Sequence, residues 1–293
     1  GWFWEGGGGG GEGRQQTMGN CFSAKAPETT ATVRKERSTP SFFAIPDQFK
    51  SIEEVQQALR TAGLESSNLI LGIDFTKSNT WTGTNSFGGL CLHDTSGSRG
   101  ENPYQKVIQI VGRTLEAFDD DKLIPTFGFG DAFTTDKTCF PFFPDRRPCN
   151  GFAEVIARYN EITPGITLSG PTNFAPIIRE AIKIVQEEKS YHILVIIADG
   201  QVTNRKDTED AIVEASNYAL SIVVVGVGDG PWEMMCEFDD ELPARKFDNF
   251  QFVPFNETMK KVPPGQNPDP MFAMAALMEV PEQFKLIRKL RLL

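Results

Sequence analysis

Three short stretches of this 293-residue chain offer oxygen donors at spacings that suit a cation. Asp74-Phe75-Thr76-Lys77-Ser78 sets a carboxylate and two hydroxyls at alternate positions directly after an apolar run. Leu168-Ser169-Gly170-Pro171-Thr172-Asn173 is a turn-rich stretch that exposes the Thr172 hydroxyl ahead of a helix. Ala198-Asp199-Gly200 ends another apolar run in a carboxylate, and its glycine lets the backbone turn sharply beside whatever the carboxylate holds. Either aspartate alone reads as an ordinary cap or turn former. Together, two carboxylates, two or three hydroxyls and water suit Mg²⁺, or else Mn²⁺ or Ca²⁺, hard ions that take oxygen ligands.

Other candidates read more plainly. Asp131, after Gly128-Phe129-Gly130, is a loop carboxylate near these stretches and not a ligand. His93 and His192 are packing residues, since neither has another histidine or cysteine at ligand spacing. Gly226-x-Gly228-x-Gly230 lacks the G-x-G-x-x-G spacing and follows a late strand, which argues against a dinucleotide site. No base or nucleophile stands beside the oxygen-rich loops, so a hydrolase is disfavoured.

The elements that must position these residues alternate along the chain. Ser51-Ile52-Glu53-Glu54 is a capping box opening a helix to about Ala62. Asn68 to Asp74 reads as a strand buried on both faces, and Asn102-Pro103 starts a helix through Phe118 with proline at its first position. Further strands are expected at Leu123 to Phe129, His192 to Ala198, Ser221 to Val227 and Phe250 to Phe255. Further helices are expected at Gly151 to Ile162, Ala175 to Glu188 and Asp207 to Ala219. The alternation predicts an α/β fold: a doubly wound, mostly parallel six-stranded sheet with helices on both faces. Ligands of such sheets sit beyond the carboxyl ends of the strands, where Asp74 and Asp199 fall. The expected domains are a tail over 1–44, the sheet domain over 45–262, and a linker with a C-terminal helix over 263–293.

Composition narrows the function. A formal charge of −10 argues against nucleic acid, whose binding relies on clustered Lys and Arg. Five cysteines without a CxxC pair argue against a zinc finger or disulfide framework and fit a reducing compartment. Cys139 and Cys149, in the Phe- and Pro-rich loop from Phe133 to Phe152, are expected to be free thiols, and that aromatic loop is a candidate partner surface. The apolar runs fall far short of the roughly 20 residues of a membrane helix.

The first residues form a glycine run without amphipathic period and are set outside the fold. Met18-Gly19-Asn20-Cys21-Phe22-Ser23 matches the N-myristoylation signal, provided that Met18 is the start. Gly19 would then carry myristate and Cys21 palmitate, with Lys25, Arg34, Lys35 and Arg37 reinforcing a peripheral membrane contact. A chance match in a tail is the alternative. The expected location is intracellular, at the plasma membrane periphery, in the cytoplasm or in the nucleus.

The three oxygen-rich stretches resemble the metal-ion-dependent adhesion site of von Willebrand A domains in the form found in copines. With Gly72-Ile73-Asp74-Phe75-Thr76, Phe127-Gly128-Phe129-Gly130-Asp131 and the Met18-Gly19-Asn20 start, the chain is similar to plant RING domain ligases with a copine-type A domain over roughly residues 45 to 290. Thr76 stands where the common form of the site has serine. The resemblance implies that Ser78 and Thr172 ligate the metal directly, Asp74 and Asp199 directly or through water, while Thr76 helps set the loop. It implies a protein partner that supplies a carboxylate to the metal, in a protein acting in ubiquitination. The family's RING would follow the A domain and contact an E2 enzyme. No such cysteine and histidine series occurs here, so this chain reads as a truncated product or incomplete gene model and should not ligate ubiquitin by itself. The alternative is a copine-like membrane-associated adaptor without a catalytic role. Copines carry two C2 domains before the A domain, which the short N-terminal tail cannot contain.

Overall fold

A strand without polar alternation must be covered on both faces. In a computed structural model describing residues 49–240, 242 and 245–293, β1 (Asn68–Asp74), β6 (His192–Ala198) and β7 (Leu220–Gly226) are such strands. Apart from Asn68, every residue in them is buried. They form the centre of a six-stranded sheet, ordered β4 (Cys139–Pro141), β3 (Thr126–Phe129), β1, β6, β7 and β8 (Phe250–Pro254). All neighbours are parallel except β3 and β4. The tail signal with Gly19 and Cys21 lies outside the described residues.

The helices are α1 (Ile52–Thr61), α2 (Pro103–Leu115), α3 (Gly151–Ile162), α4 (Ala175–Glu188), α5 (Arg205–Ala215), α6 (Glu233–Asp240), α7 (Phe255–Lys260), α8 (Asp269–Leu277) and α9 (Val280–Lys289). Helices α1, α2 and α8 pack on one another, and α4 packs on α5. Gly72 of β1 admits the second layer closely: a Cβ there would lie 2.9 Å from Ile177 of α4. The Asn102–Gln105 pair caps α2 reciprocally, at 2.7 and 2.9 Å. At α1 only half of the expected box forms. Ser51 Oγ accepts from the Glu54 amide, but Glu54 accepts from the Lys50 amide instead of that of Ser51.

Three local readings differ from the sequence expectation. The strand expected over 123–129 divides at Pro125, which has no N–H for a ladder. Its first half, β2 (Leu123–Ile124), pairs with β5 (Cys149–Asn150) in a separate ribbon. The aromatic loop contributes the edge strand β4, whose Phe140 ring covers Gly128 so closely that a Cβ there would lie 2.2 Å from it. The segment from 263 onward forms two helices where one is expected. Phe272, Leu277, Val280 and Ile287 are buried in the main core, and Gln251 of β8 donates to the Ala275 carbonyl at 2.7 Å. Among the described residues no helix is long and apolar enough to cross a membrane.

Candidate metal centre

β1 and β6 run side by side, with Ile73 opposite Ile197, so Asp74 and Asp199 leave the sheet at the same rim. Both carboxylates are fully buried. The chain leaves β1 through a 3-10 turn over Lys77–Thr80, where Thr76, Ser78 and Asn79 bond inward while Lys77 and Thr80 stay exposed. Asp74 Oδ1 accepts from the Thr76 amide at 2.8 Å. The Thr76 and Ser78 hydroxyls lie 3.0 Å apart, and Ser78 Oγ donates to Asp199 Oδ1 at 2.8 Å. Thr82 Oγ1 donates to the other oxygen, Asp199 Oδ2, at 2.5 Å.

The Asp74 Oδ2 atom is buried and meets no donor among the described residues. Burial, and then the charge of Asp199, push the Asp74 carboxyl well above the usual carboxylate range. Burial also raises Asp199, against the hydroxyls of Thr82 and Ser78, which favour its charged form. A pair of desolvated carboxylates with an undonated oxygen calls for positive charge. Among the described residues no group of three or more His, Cys, Asp or Glu side chains converges in a metal-holding arrangement. The donors here are instead two carboxylates and neutral hydroxyls, an all-oxygen set that fits a hard divalent cation.

Main-chain bonds stitch the three loops together. The Lys77 amide donates to the Ser169 carbonyl at 2.6 Å, and the Ser169 amide to the Phe75 carbonyl at 3.3 Å. Thr172 is buried, and its carbonyl accepts from the Thr203 amide at 2.8 Å, tying its loop to the turn that follows Asp199. Asn173 then fixes the start of α4. Its amide nitrogen bonds the Asp136 carbonyl and Asp207, and its Oδ1 accepts from the Ala175 amide and the Thr208 hydroxyl. The structure thus joins Asp74, Thr76, Ser78 and Asp199 through side chains and brings in Thr172 through its backbone. Asp131 is engaged elsewhere, accepting from the Thr134 amide at 2.9 Å within its own turn. His192 bonds Ser190 and Glu188 at the opposite end of β6.

Residues that the sequence does not assign to the site support it. The Asp74 carbonyl accepts from His93 Nε2 at 2.7 Å, the Tyr104 hydroxyl at 3.1 Å and Asn79 Nδ2 at 3.3 Å. His93 is stacked between Phe75 and Tyr104, with ring centroids 4.6 and 4.0 Å away. Burial pushes His93 down to about 3, so it is neutral at pH 7. With its Nε2–H on the Asp74 carbonyl, its Nδ1 accepts from the Tyr159 hydroxyl at 2.7 Å. His93 is therefore more than a packing residue: it holds the backbone that aims Asp74. Thr82, four residues beyond Ser78, carries a local signal; His93 and Tyr104 reach the loop only through the tertiary fold.

The copine family signature matches residues 91–293. The chain is 52% identical over 281 residues to E3 ubiquitin-protein ligase RGLG4 of Arabidopsis thaliana, covering 92% of this chain and 68% of that protein. It is 52% identical over 280 residues to E3 ubiquitin-protein ligase RGLG1 of the same plant, covering 91% of this chain and 57% of the relative. Copine family protein 2 of Caenorhabditis elegans is 54% identical over 248 residues, covering 84% of this chain and 3% of that protein. The likeness spans the strands, loops and helices that build the oxygen-lined rim. This chain therefore belongs to the copine family, as a copine-type von Willebrand A domain protein similar to the RGLG ubiquitin ligases.

Proposed function

We propose that this chain is a cation-dependent protein-binding domain that recruits a substrate or partner in a RING-type ubiquitin ligase. Asp74, Thr76, Ser78, Thr172 and Asp199 form the centre, with Mg²⁺, or else Mn²⁺ or Ca²⁺, as the ion. The observation that carries the reading is the buried Asp74 Oδ2, without a donor beside the Asp199 carboxylate. The two carboxylates balance a divalent ion's charge, but with the neutral oxygens of Ser78 and Thr172 they would not fill an octahedral shell. A bound cation would supply a Lewis-acidic position for a carboxylate from the partner. Thr82 and Thr76 hold Asp199 and Ser78 in place for that purpose.

Two relatives are named E3 ubiquitin-protein ligases, and the chain spans 68% and 57% of their lengths. On this reading the domain presents the recruited protein, while contact with an E2 enzyme belongs to a RING outside these 293 residues. The proposed location is intracellular, at the membrane periphery and in the cytoplasm or nucleus, with Gly19 myristoylated if Met18 is the start. A copine-like adaptor without ligase activity is the second reading, favoured by the 54% identity to the nematode copine.

The test is capture of proteins on the immobilised chain in Mg²⁺ and in chelator, with Asp74→Ala and Thr172→Ala alongside. Partners should be retained only by the wild type with Mg²⁺. Capture that is identical in chelator, or on both variants, refutes the reading.

A further inference from the structure

Single exposed apolar side chains are ordinary on a protein surface. Here two large aromatics stand on the loops that build or abut the candidate metal centre. Phe133 is 92% exposed and Trp81 57% exposed.

Their placement is fixed by the site itself. Trp81 lies between Ser78 and Thr82, whose hydroxyls bond the two oxygens of Asp199, and its amide donates to the Ser78 carbonyl at 2.9 Å. Phe133 tops the turn that follows β3, and that turn is pinned on both shoulders. The Ala132 amide donates to the Thr167 carbonyl at 2.9 Å, and the Thr135 amide to the Asp131 carbonyl at 2.9 Å. The buried Asp131 carboxylate takes the Thr134 amide and hydroxyl. At the base of the turn, Gly130 (φ +80°) presses on the metal loop, since a Cβ there would lie 2.3 Å from Thr76 Cγ2. Phe133 thus projects from a tightly bonded turn that abuts the Asp74 loop.

The loops around the centre are themselves sparsely charged. Residues 75–82, 167–173 and 200–204 contain one charged side chain, the exposed Lys77. The turn over 131–138 adds the exposed Lys137, the half-buried Asp136 and the buried Asp131. This rim carries Lys77, Lys137 and the two aromatics, together with Asp136 and the exposed carboxylates of Asp229, whose amide donates to the Thr82 carbonyl, and Glu233, which accepts from Gln201.

We propose that the segment recognised here carries large apolar residues beside its acidic residue, and that Phe133 and Trp81 read those flanks. The inference rests on the metal-centre reading, which supplies the anchor for the acidic residue. Aromatic side chains seated next to a desolvated anchor commonly dominate recognition. A lipid surface fits less well: two lysines on an acidic chain give little attraction to anionic headgroups.

The test is selection from a displayed peptide library with a central Asp or Glu and randomised flanks. It uses the full chain in Mn²⁺ and in chelator, as wild type, Phe133→Ser and Trp81→Ser. Leu, Ile, Phe or Met should be enriched beside the acidic residue on the wild type in Mn²⁺ only. Selected peptides should bind Phe133→Ser about tenfold more weakly, the scale of losing one interface anchor, with Mn²⁺ affinity by calorimetry and the melting temperature unchanged. Cation-dependent enrichment of acidic peptides without a flank preference overturns this inference and leaves the metal-centre reading standing. Selection without any cation dependence, from a chain that binds Mn²⁺ in the calorimeter, overturns both. Binding to anionic vesicles, or dimerisation, that is lost in Phe133→Ser overturns it in favour of a membrane or a second copy.

Discussion

Asp74→Asn should raise the melting temperature without cation and lower it with cation. The amide keeps an oxygen for the Thr76 amide, now 2.8 Å from Asp74 Oδ1, and turns a nitrogen donor toward Asp199 in place of the undonated Oδ2. In chelator the substitution puts a neutral amide where burial and Asp199 oppose ionisation of the carboxyl, a gain of about 1–3 kcal/mol on the scale of an unsatisfied buried group. One kcal/mol moves the midpoint of a domain this size by about 2–4 °C, so the variant should melt about 2–12 °C higher. In Mg²⁺ the order inverts. The wild type gains RT ln(1 + [L]/Kd), about 4.1 kcal/mol at a thousandfold excess over Kd, while the variant gains little. The pH dependence has a definite sign. Because burial raises the folded carboxyls above their ordinary value of 3.8, the cation-free wild type loses stability as pH rises above about 4. The variant should show a shallower fall. Scanning calorimetry across a Mg²⁺ series, with both proteins also in chelator, measures all of this. Equal midpoints in chelator followed by parallel rises in Mg²⁺ would refute the reasoning.

His93→Phe should keep the stacking on Phe75 and Tyr104 but lose the bond to the Asp74 carbonyl. It should cost about 1–3 kcal/mol in denaturant unfolding and weaken Mn²⁺ binding in titration calorimetry, whereas a purely structural role would leave the Mn²⁺ affinity intact. Asp119, in the turn after α2, is raised to about 7 by burial and then by Asp121. The folded chain therefore holds this proton more tightly than the unfolded one, and stability should fall as pH rises from about 4 to about 7. Asp119→Asn should flatten that part of the pH–melting curve, and an unchanged slope would count against it.

What was readable in the sequence is what one element decides by itself. β1 and β6 are unbroken apolar runs, so their buried course and the carboxylates at their ends follow from local pattern. The alternate hydroxyls of Thr76 and Ser78 sit within one short turn and are legible for the same reason. Pro125 and Gly128 show where local pattern stops. Pro125 splits a strand because it has no N–H to give a ladder, and Gly128 is glycine because Phe140, twelve residues on, takes the space. His93 is the sharper case. Nothing within four residues of it names a partner, yet the fold stacks it between Phe75 and Tyr104 and sets its Nε2 on the Asp74 carbonyl. Thr82 lies between these extremes. Its i+4 bond to the Ser78 carbonyl is local, but only the arrival of β6 turns its hydroxyl into a donor for Asp199. A candidate oxygen-only site of this kind announces its proposed ligands through strand-end spacing, while the residues that hold them are drawn from whichever elements the sheet brings beside it.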